Sequence, residues 1–345
     1  MGRKKGDNPT DAFFAVREPE EVLLSPTVIR RIARRGLSRI LLGDPIPQYA
    51  VVGLQEPQRE VVVTLEGGGV PRRDVTRNNV VVSLRPLLLA VGFPGTESAE
   101  ADRRDTCELV FREASDGAEL GRIGLQKATS IPLNAGHYVV FAAVGHSDHC
   151  LGPTRRSLHY AYQWWKTRSR GEPHNFRMEF LDFLRLWTFY VCPRPVALIS
   201  VQHDGSDNLF PMDLIGPTEA GYFSLALRNT SPSVELISKS RRIALSEVPV
   251  ELAEAVYTLG KHHRLRNIDL TALPFEVEVS SEFRLPVPSA ALGVVELYVE
   301  RVHPLGSHVV FLARPVSDQR RRSGRRMFHV AGLYQDRRKR LGSPL

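Results

Sequence analysis

Two β-rich stretches of this chain resemble each other in sequence, and this internal similarity limits the possible folds more than any other feature. Residues 136–148, GHYVVFAAVGHSD, match residues 306–318, GSHVVFLARPVSD, and a Pro-Leu pair precedes each of them. Two further pairs of segments run parallel upstream: 61–69 with 196–205, and 78–93 with 221–230. A period of about 170 residues is too long for a solenoid, so the pattern indicates a duplicated domain. Shared β-hairpin composition is the alternative explanation, because short alternating strands look alike.

The rest of the chain is organised around these two series. The 345 residues are 42% hydrophobic and 24% charged, which excludes disorder along most of the length and suits two domains. Short β-rich runs begin at Tyr49 and again at Pro195, broken by turn signals such as GGG and DG. Residues 153–190 and 250–259 have a helical pattern, and the sequence predicts one amphipathic helix at residues 26–42 in a basic N-terminal extension. The β pattern predicts antiparallel barrels or sandwiches.

Charge and cysteine content indicate the compartment and the partners. The net charge of +8 favours an anionic partner such as a phosphate-bearing cofactor. Basic runs at 3–5, 320–326 and 337–340 are predicted to be solvated tails, which makes a specific nucleic-acid role unlikely. Three scattered cysteines predict neither a disulfide framework nor a cysteine-based zinc site. With no signal peptide and no spanning segment, we expect a soluble cytoplasmic protein without membrane contact.

The C-terminal half contains CPRPVALISVQHDG, then an Asn-x-x-Pro segment from Asn208 to Pro211, and then YFSLALRNTSPS before a short helix. In the order and spacing of these pieces it resembles the flavin reductase-like family of FMN-binding split barrels. This resemblance implies a mainly β fold with helices (α+β), in which a split β-barrel that binds FMN occurs in two tandem copies joined by connecting helices. Our predicted boundaries are a basic extension at 1–48, a degenerate β domain at 49–152, connecting helices at 153–191, the FMN-binding barrel at 192–334 and a basic tail at 335–345.

The resemblance implies which residues hold the flavin ring. The segment from Asn208 to Gly216 is apolar but is interrupted by a proline and a glycine, so its backbone groups are expected to be free of the strand ladder. A flat, largely apolar ring needs such a wall with free N–H and C=O groups. An ordinary buried strand is the alternative interpretation. The predicted ring contacts are Asn208, Phe210, Pro211, Met212, Asp213 and Leu214, and Arg194 supplies a polar contact.

The predicted phosphate site is the loop that precedes a short helix. Its guanidinium, its hydroxyls and the helix N-terminus together favour a bound anion. A simple helix cap at Ser231 or Ser233 is compatible with that role. The residues assigned to it are Arg228, Asn229, Thr230, Ser231 and Ser233. The first series has Arg85-Pro86-Leu87-Leu88-Leu89 in the matching place and lacks these hydroxyls, so we expect the first copy to be structural.

His329 lies in a segment that resembles the closing strand of the family, where it could contact the flavin or the nicotinamide. A surface histidine is the alternative, since histidine alone says little. The resemblance implies hydride transfer from NAD(P)H to FMN, with FAD as the alternative flavin, and a monooxygenase client. A non-catalytic FMN-binding electron carrier or accessory protein is the competing function, and a nucleic-acid-binding barrel is a third. Family sites lie at subunit interfaces, so the chain is expected to form a homodimer or an internal pseudo-dimer.

Two other clusters are interpreted as structural. His146, Asp148, His149 and Cys150 follow a predicted strand in a loop, where their spacing does not create a metal site, and no metal is predicted. The aromatic residues at helical spacing are expected to pack a domain joint rather than to stack bases. They are Tyr160, Tyr162, Trp164 and Trp165.

Overall fold

The computed structural model describes residues 46–55, 58–97, 100, 103–169 and 178–345. The predicted helix at 26–42, with most of the extension at 1–48, lies outside the described residues. Strands make up most of the regular structure and helices a smaller part, which confirms the prediction of a mainly β fold with helices.

The first half contributes eight described strands. They are β1 Tyr49–Leu54, β2 Val61–Gly67, β3 Val70–Asp74, β4 Asn79–Leu84, β5 Leu87–Pro94, β6 Thr106–Glu113, β7 Glu119–Leu133 and β8 Gly136–Asp148. The GGG segment forms the tight turn between β2 and β3, and its three glycines have φ values of 102°, 72° and 69°, in the region that favours glycine.

The second half contributes eleven described strands. They are β9 Arg194–Pro195, β10 Ala197–His203, β11 Ser206–Met212, β12 Ile215–Pro217, β13 Phe223–Arg228, β14 Arg242–Glu247, β15 Val277–Val279, β16 Pro286–Pro288, β17 Gly293–Leu305, β18 His308–Arg320 and β19 Arg326–Ala331.

The α-helices whose bounds lie within the described residues are α1 Pro153–Ser169, α2 Phe180–Phe189, α3 Pro232–Ser240, α4 Ala253–Thr258 and α5 Gly332–Arg340. Short 3-10 turns flank α4 at Val250–Leu252 and Leu259–Arg264, so the helix predicted at 250–259 is present in broken form. Two further 3-10 turns lie at Gly95–Glu97 and Leu270–Ala272. None of these described helices is both long enough and apolar enough to cross a membrane.

Two seven-stranded antiparallel sheets dominate the fold, and they have the same strand order. The first sheet runs β3-β2-β6-β7-β8-β5-β4 and the second runs β11-β10-β14-β17-β18-β13-β12. Reading from edge to edge, β6, β7 and β8 occupy the places that β14, β17 and β18 occupy in the second sheet. Long alternating strands suit this arrangement because each sheet buries one face in its own core.

The two sheets also share a core with each other. Side chains from β4, β5 and β8 pack against side chains from β13 and β18 in one buried apolar cluster. The Tyr138 hydroxyl hydrogen-bonds the Ser224 hydroxyl inside this cluster. Because burial of apolar surface is the main favourable term in folding, this shared cluster holds the two halves of the described chain together.

Strand β1 does not join the first sheet, although the sequence groups it with the first β series. It pairs antiparallel with β19, from Tyr49 opposite Ala331 to Leu54 opposite Arg326, and β19 also pairs with β9. The result is a separate three-stranded sheet that joins the two ends of the described chain. Sequence pattern identifies a strand, but it does not identify the strand's partner.

The predicted connecting helices are α1 and α2, and they differ in burial. Helix α2 is amphipathic and buries an apolar face against the core that includes the first sheet. On α1, Tyr160 packs against that core, which fits the packing interpretation. Trp164 and Trp165 are 46% and 40% exposed, and the ring of Trp165 lies beside that of Tyr162 at a centroid distance of 6.2 Å.

The segment predicted to be a basic tail at 335–345 begins inside helix α5. Arg338 donates to Glu113 at 2.6 Å, and Tyr334 on the same helix donates to Glu113 at 2.7 Å. Arg326, at the end of the run 320–326, is also buried and ion-paired rather than solvated. Each of these arginines pairs with a carboxylate, Glu113 or Glu247, which offsets the cost of removing its charge from water.

Candidate functional site

A cleft of about 380 Å³ lies where the edges of the two sheets meet. Strand β4 is the edge of the first sheet and β12 is the edge of the second. A side chain added at Gly216 would lie 3.9 Å from the Asn79 carbonyl oxygen and from Val80 Cβ, so the two edges nearly touch. The residues lining the cleft are Gln58, Thr76, Arg77, Asn79, Pro193, Arg194, Pro195, Ile215, Gly216, Pro217, Phe223, Leu245, Glu247, Val295, Asp318, Arg326 and Phe328.

Arg194 connects the two halves at the wall of this cleft. It is 6% exposed and donates to the Asn79 carbonyl at 3.1 Å and to Asn79 Oδ1 at 2.7 Å. Its guanidinium lies 3.8 Å from the centre of the Phe189 ring. Burial lowers the pKa of this guanidinium, which nevertheless stays charged at neutral pH. Among the described residues, its buried Nε–H has no acceptor.

Charged residues in the cleft leave a positive balance. Arg326 Nη1 donates to Glu247 Oε1 at 2.8 Å, so these two largely neutralise each other. Arg77 and Asp318 are exposed where they line the cleft. Three arginines therefore face two carboxylates, and Arg194 is the cation that stands deepest without a carboxylate beside it in this lining. Such a balance suits a ligand with an anionic part.

The rest of the cleft wall consists of apolar side chains and of main chain that no side chain covers. Phe328, Leu245 and Val295 are buried, and Phe223 is half-buried. At Gly216 the absence of a side chain leaves the main chain uncovered on that side. An apolar wall beside free backbone and a few polar groups is the usual composition of a cofactor cleft.

The predicted ring segment is a regular strand for most of its length. Pro211 lies opposite Leu198 in β11, which is an edge strand, so the missing N–H of proline costs no ladder bond to a further neighbour. Phe210 and Met212 point into the core of the second sheet. The ladder breaks only after Met212, and the cleft begins at Ile215.

Asn208 is buried and its side-chain amide is already engaged. Its Nδ2 atom lies 3.1 Å from Ser233 Oγ, 3.0 Å from the His262 carbonyl and 2.7 Å from the Leu265 carbonyl. It thereby fixes the 3-10 turn Leu259–Arg264 against β11. Neither it nor the other predicted ring residues Phe210, Pro211, Met212, Asp213 and Leu214 line the cleft.

The predicted phosphate loop lies at the far end of β13 from the cleft. Phe223 lines the cleft and Arg228 ends the same strand, about 17 Å away at the usual rise per residue. Ser231 precedes the helix α3 with extended backbone angles, but its hydroxyl donates to the His263 carbonyl at 2.6 Å instead of capping the helix. The Asn229 amide donates to the Ser307 carbonyl at 3.2 Å, and Thr230 is exposed.

Basic groups surround Arg228. His308 lies opposite it in the ladder, and burial, together with Arg228, lowers the pKa of His308 to about 4. Burial, with Arg228 and Arg264, also lowers the pKa of His263. Because burial keeps both histidines neutral at pH 7, the positive charge near this loop comes from Arg228 and Arg264, and it lies apart from the cleft.

His329 lies on the face of β19 opposite the cleft, because its neighbour Phe328 lines the cleft and successive strand residues point to opposite faces. Its Nδ1 atom is 2.7 Å from Asp213 Oδ2 and its Nε2 atom is 2.6 Å from the Tyr257 hydroxyl. The rings of Tyr49 and Tyr257 stack on it at centroid distances of 5.9 and 5.8 Å. Two predicted site residues, Asp213 and His329, are thus brought together, away from the cleft.

Asp213 is the acceptor at the centre of this group. Burial would raise the pKa of its carboxyl, but hydrogen bonds from His329 and from the Tyr190 hydroxyl, which lies 2.7 Å away, outweigh burial and hold the pKa below its usual range. The carboxylate therefore stabilises the fold when it is ionised. The same burial and the charge of Asp213 raise the pKa of Tyr190.

Replacing Asp213 with asparagine is expected to lower the free energy of unfolding by about 1–2 kcal/mol at pH 7, because the hydrogen bonds from His329 and Tyr190 lose their charged acceptor. Because the pKa of Asp213 is lower in the folded protein than in the unfolded chain, its ionised carboxylate stabilises the fold above about pH 4. This contribution is lost as the pH falls through the folded-state pKa. Urea unfolding at pH 7 and pH 3 should therefore show a difference between wild type and Asp213→Asn that shrinks in acid. Asp204→Asn is the control, since the Asp204 side chain is 79% exposed. An equal difference at both pH values would contradict the assignment.

The cleft also contains residues that sequence reasoning missed. Glu247 ends a strand that was predicted, and alternation places it on the same face as Leu245, so a signal for it existed. Asn79 and Arg326 gave no comparable signal, because their importance depends on contacts with Arg194 and Glu247 far along the chain.

The loop predicted at 146–150 is in part strand, because β8 extends to Asp148, and its residues have structural contacts. Asp148 Oδ1 accepts from the Cys150 amide at 2.7 Å, and burial raises the pKa of Asp148. Within the described parts of the chain, no group of three or more histidine, cysteine, aspartate or glutamate side chains is arranged to hold a metal ion.

The structure is similar to solved flavin reductases and FMN-binding proteins. An FMN-binding protein from Thermus thermophilus with bound p-hydroxybenzaldehyde is 24% identical over 37% of this chain and 73% of its own, with a TM-score of 0.34. The NADH:FAD oxidoreductase of Streptomyces globisporus C-1027 is 15% identical over 47% of this chain and 95% of its own, with a TM-score of 0.40. The styrene monooxygenase flavin reductase of Pseudomonas putida S12 is 16% identical over 43% and 92%, with a TM-score of 0.37. No protein-family model matches the chain, and no curated protein sequence matches it.

Proposed function

We propose that the chain is a flavin reductase-like flavoprotein that binds FMN in the cleft between its two sheets. The observation that carries the proposal is Arg194, a buried cation at the cleft wall with an unmatched Nε–H, next to bare backbone at Gly216 and the apolar side chain of Phe328. A volume of about 380 Å³ lies within the usual range of cofactor sites. FAD is the alternative flavin.

The residues of the cleft fit the chemistry of a flavin. Phe328, Val295 and Leu245 would hold the apolar ring, and the backbone around Gly216 would meet its hydrogen-bonding edge. Bound FMN would supply hydride acceptance from NAD(P)H, and the protein would orient the two cofactors and exclude water. His329 lies behind the cleft, so we propose a positioning role for it, in which its bond to Asp213 fixes the turn that leads into Ile215.

The phosphate of FMN has two candidate positions. One is the predicted loop formed by Arg228, Asn229, Thr230, Ser231 and Ser233. The other is Arg77, which is exposed at the cleft beside Thr76. The distance of about 17 Å along β13 favours Arg77, since it places Arg228 far from the ring site.

The shared strand order of the two sheets supports a tandem duplication of a split barrel, with domains at 49–152 and 192–334. The first domain then takes the place of a partner subunit, because Asn79, Arg77 and Thr76 come from it and complete the cleft. A monooxygenase that uses reduced flavin is the proposed client. An FMN-binding electron carrier without turnover is the competing function, and it shares the same cleft.

FMN fluorescence quenching tests the proposal. We expect wild-type protein to quench added FMN, and Arg194→Gln to weaken FMN binding about 10-fold or more, as loss of a charge-assisted hydrogen bond predicts. The exposed arginine variant Arg59→Gln is the control and should bind FMN as wild type does. No quenching by wild-type protein would reject flavin binding. Anaerobic bleaching of bound flavin by NADH or NADPH separates a reductase from a carrier.

A second titration locates the phosphate by comparing FMN with riboflavin, which lacks it. If Arg77 binds the phosphate, Arg77→Ala should weaken FMN binding about 10-fold while riboflavin binding stays the same. Arg228→Ala should then leave both affinities unchanged. The opposite pattern would assign the phosphate to the loop at Arg228.

A further inference from the structure

The wall positions of the cleft on β14, β17 and β18 have counterparts in the first sheet, because the two sheets share one strand order. In the second sheet Leu245 pairs with Val295, which pairs with Asp318, and all three line the cleft. We call these three the cleft row. The counterpart row lies at the same places in the first sheet and consists of Phe111, Gly121 and Asp148. The matching segments 136–148 and 306–318 fix this register, since they align Asp148 with Asp318.

The end of helix α2 covers the counterpart row. A side chain added at Gly121 would lie 3.0 Å from Thr188 Cγ2 and 2.7 Å from the Ser147 carbonyl oxygen. The Phe189 ring meets the Phe111 ring edge-on, with a centroid distance of 6.4 Å. Where the cleft row has valine, the counterpart row has glycine, and only the glycine leaves room for Thr188.

Helix α5 packs beside the counterpart row at the end where a glutamate lies. Glu247 ends β14 and Glu113 ends β6, at matching places in the two sheets. Each accepts a hydrogen bond from an arginine: Glu247 from Arg326 at 2.8 Å and Glu113 from Arg338 at 2.6 Å. Beside Glu113, however, the Tyr334 side chain adds a hydrogen bond of 2.7 Å and is fully buried.

The third residue of each row also differs in exposure to solvent. Asp318 is exposed in the cleft, whereas Asp148 is 1% exposed. The region around the counterpart row is thus packed like a protein interior, while the cleft row faces an open volume.

We propose that helices α2 and α5 occupy a second, pseudo-symmetric cleft, so that one chain offers one flavin site and completes it without a second copy. The occupant is the chain itself: Thr188 and Phe189 from α2, and Tyr334 and Arg338 from α5. The stoichiometric part of this proposal rests on the proposed flavin binding, whereas the occupation of the second cleft does not.

Native mass spectrometry with an FMN titration tests the stoichiometry. We expect one FMN per chain on a species with the mass of a single chain. Two FMN per chain would mean that the second cleft is open, and one FMN per two chains would mean that the site needs a partner; either result overturns the proposal. A chain that binds no FMN would reject the proposed function, and the occupation would then be decided by the next experiment.

Hydrogen exchange tests the occupation without any flavin. We expect the amides of residues 184–190 and 332–340 to exchange as slowly as those of β7, because helices that fill a packed region open only with the sheet beneath them. Fast exchange of 332–340 would overturn the proposal.

Tyr334→Ala should lower Tm by about 6 °C, against about 1 °C for the exposed control Tyr298→Ala. If Tyr334→Ala does not fold, exchange in the wild-type chain decides the question alone.

Discussion

Replacing Arg194 with methionine is expected to lower the free energy of unfolding by about 3 kcal/mol, because two buried oxygens of Asn79 lose their donor at once. Methionine keeps most of the contact with Phe189 and removes the cost of burying a charge, which offsets part of the loss. The net effect remains large, since an oxygen left buried without a donor costs about 1–3 kcal/mol. Urea unfolding at pH 7 measures it.

Arg59→Met is the matched control for this experiment, because Arg59 is an exposed arginine of the same half. It should change the free energy of unfolding by less than about 0.5 kcal/mol. If Arg194→Met were as stable as the control, the hydrogen bonds from Arg194 to Asn79 would not contribute to joining the two halves. Arg194 would then not be the residue that holds the cleft wall in place.

Acidification from pH 7 to pH 4 is expected to remove about 3 kcal/mol of stability through His308 alone. Burial, and then the charge of Arg228, lowers the pKa of this histidine to about 4, so it stays neutral in the folded protein. The unfolded chain takes up a proton at an ordinary pKa near 6.5. Between these two values the unfolded state binds more protons, so the free energy of unfolding falls as the pH falls.

The variant His308→Asn isolates this contribution from those of the other histidines. Asparagine keeps a polar atom near Ser307, which lies 2.9 Å from His308 Nδ1, but it does not titrate. Burial lowers the pKa of His146, His263 and His303 as well, so wild type and variant share a further pH dependence of the same sign. We expect the wild-type curve of stability against pH to be steeper than the variant's below pH 6.5. Parallel curves would show that His308 is not buried as described. The control is His149→Gln, because His149 is an exposed histidine.

Local pattern predicted many elements but not how they associate. Alternation in residues such as 136–144 and 308–316 identified strands that exist, since one face of each is buried. The same alternation identified β1 but could not identify β19 as its partner, because strand pairing depends on contacts between distant parts of the chain. The helices at 153–190 were predicted from their period, while the exposure of Trp164 depends on what packs nearby.

The candidate site was predictable only in its location. The segment starting at Asn208 leads directly to Ile215 and Gly216, which line the cleft, but the residues chosen within it mostly support the core. The sequence has no local sign that Arg194 meets Asn79, because the two lie in different sheets. Arg326 was assigned to a solvated run by its neighbours, and that run gives no sign of the ion pair with Glu247 across the fold.

The pairing of β1 with β19 bears on how a ribosome could make this protein. During synthesis β1 emerges long before β19, so the pairing of these two strands must wait until residues 326–331 have been made. Until then, the edge of β1 that pairs with β19 lacks that partner and is open to other strands. The first seven-stranded sheet, by contrast, is built from segments between residues 61 and 148 and can form earlier.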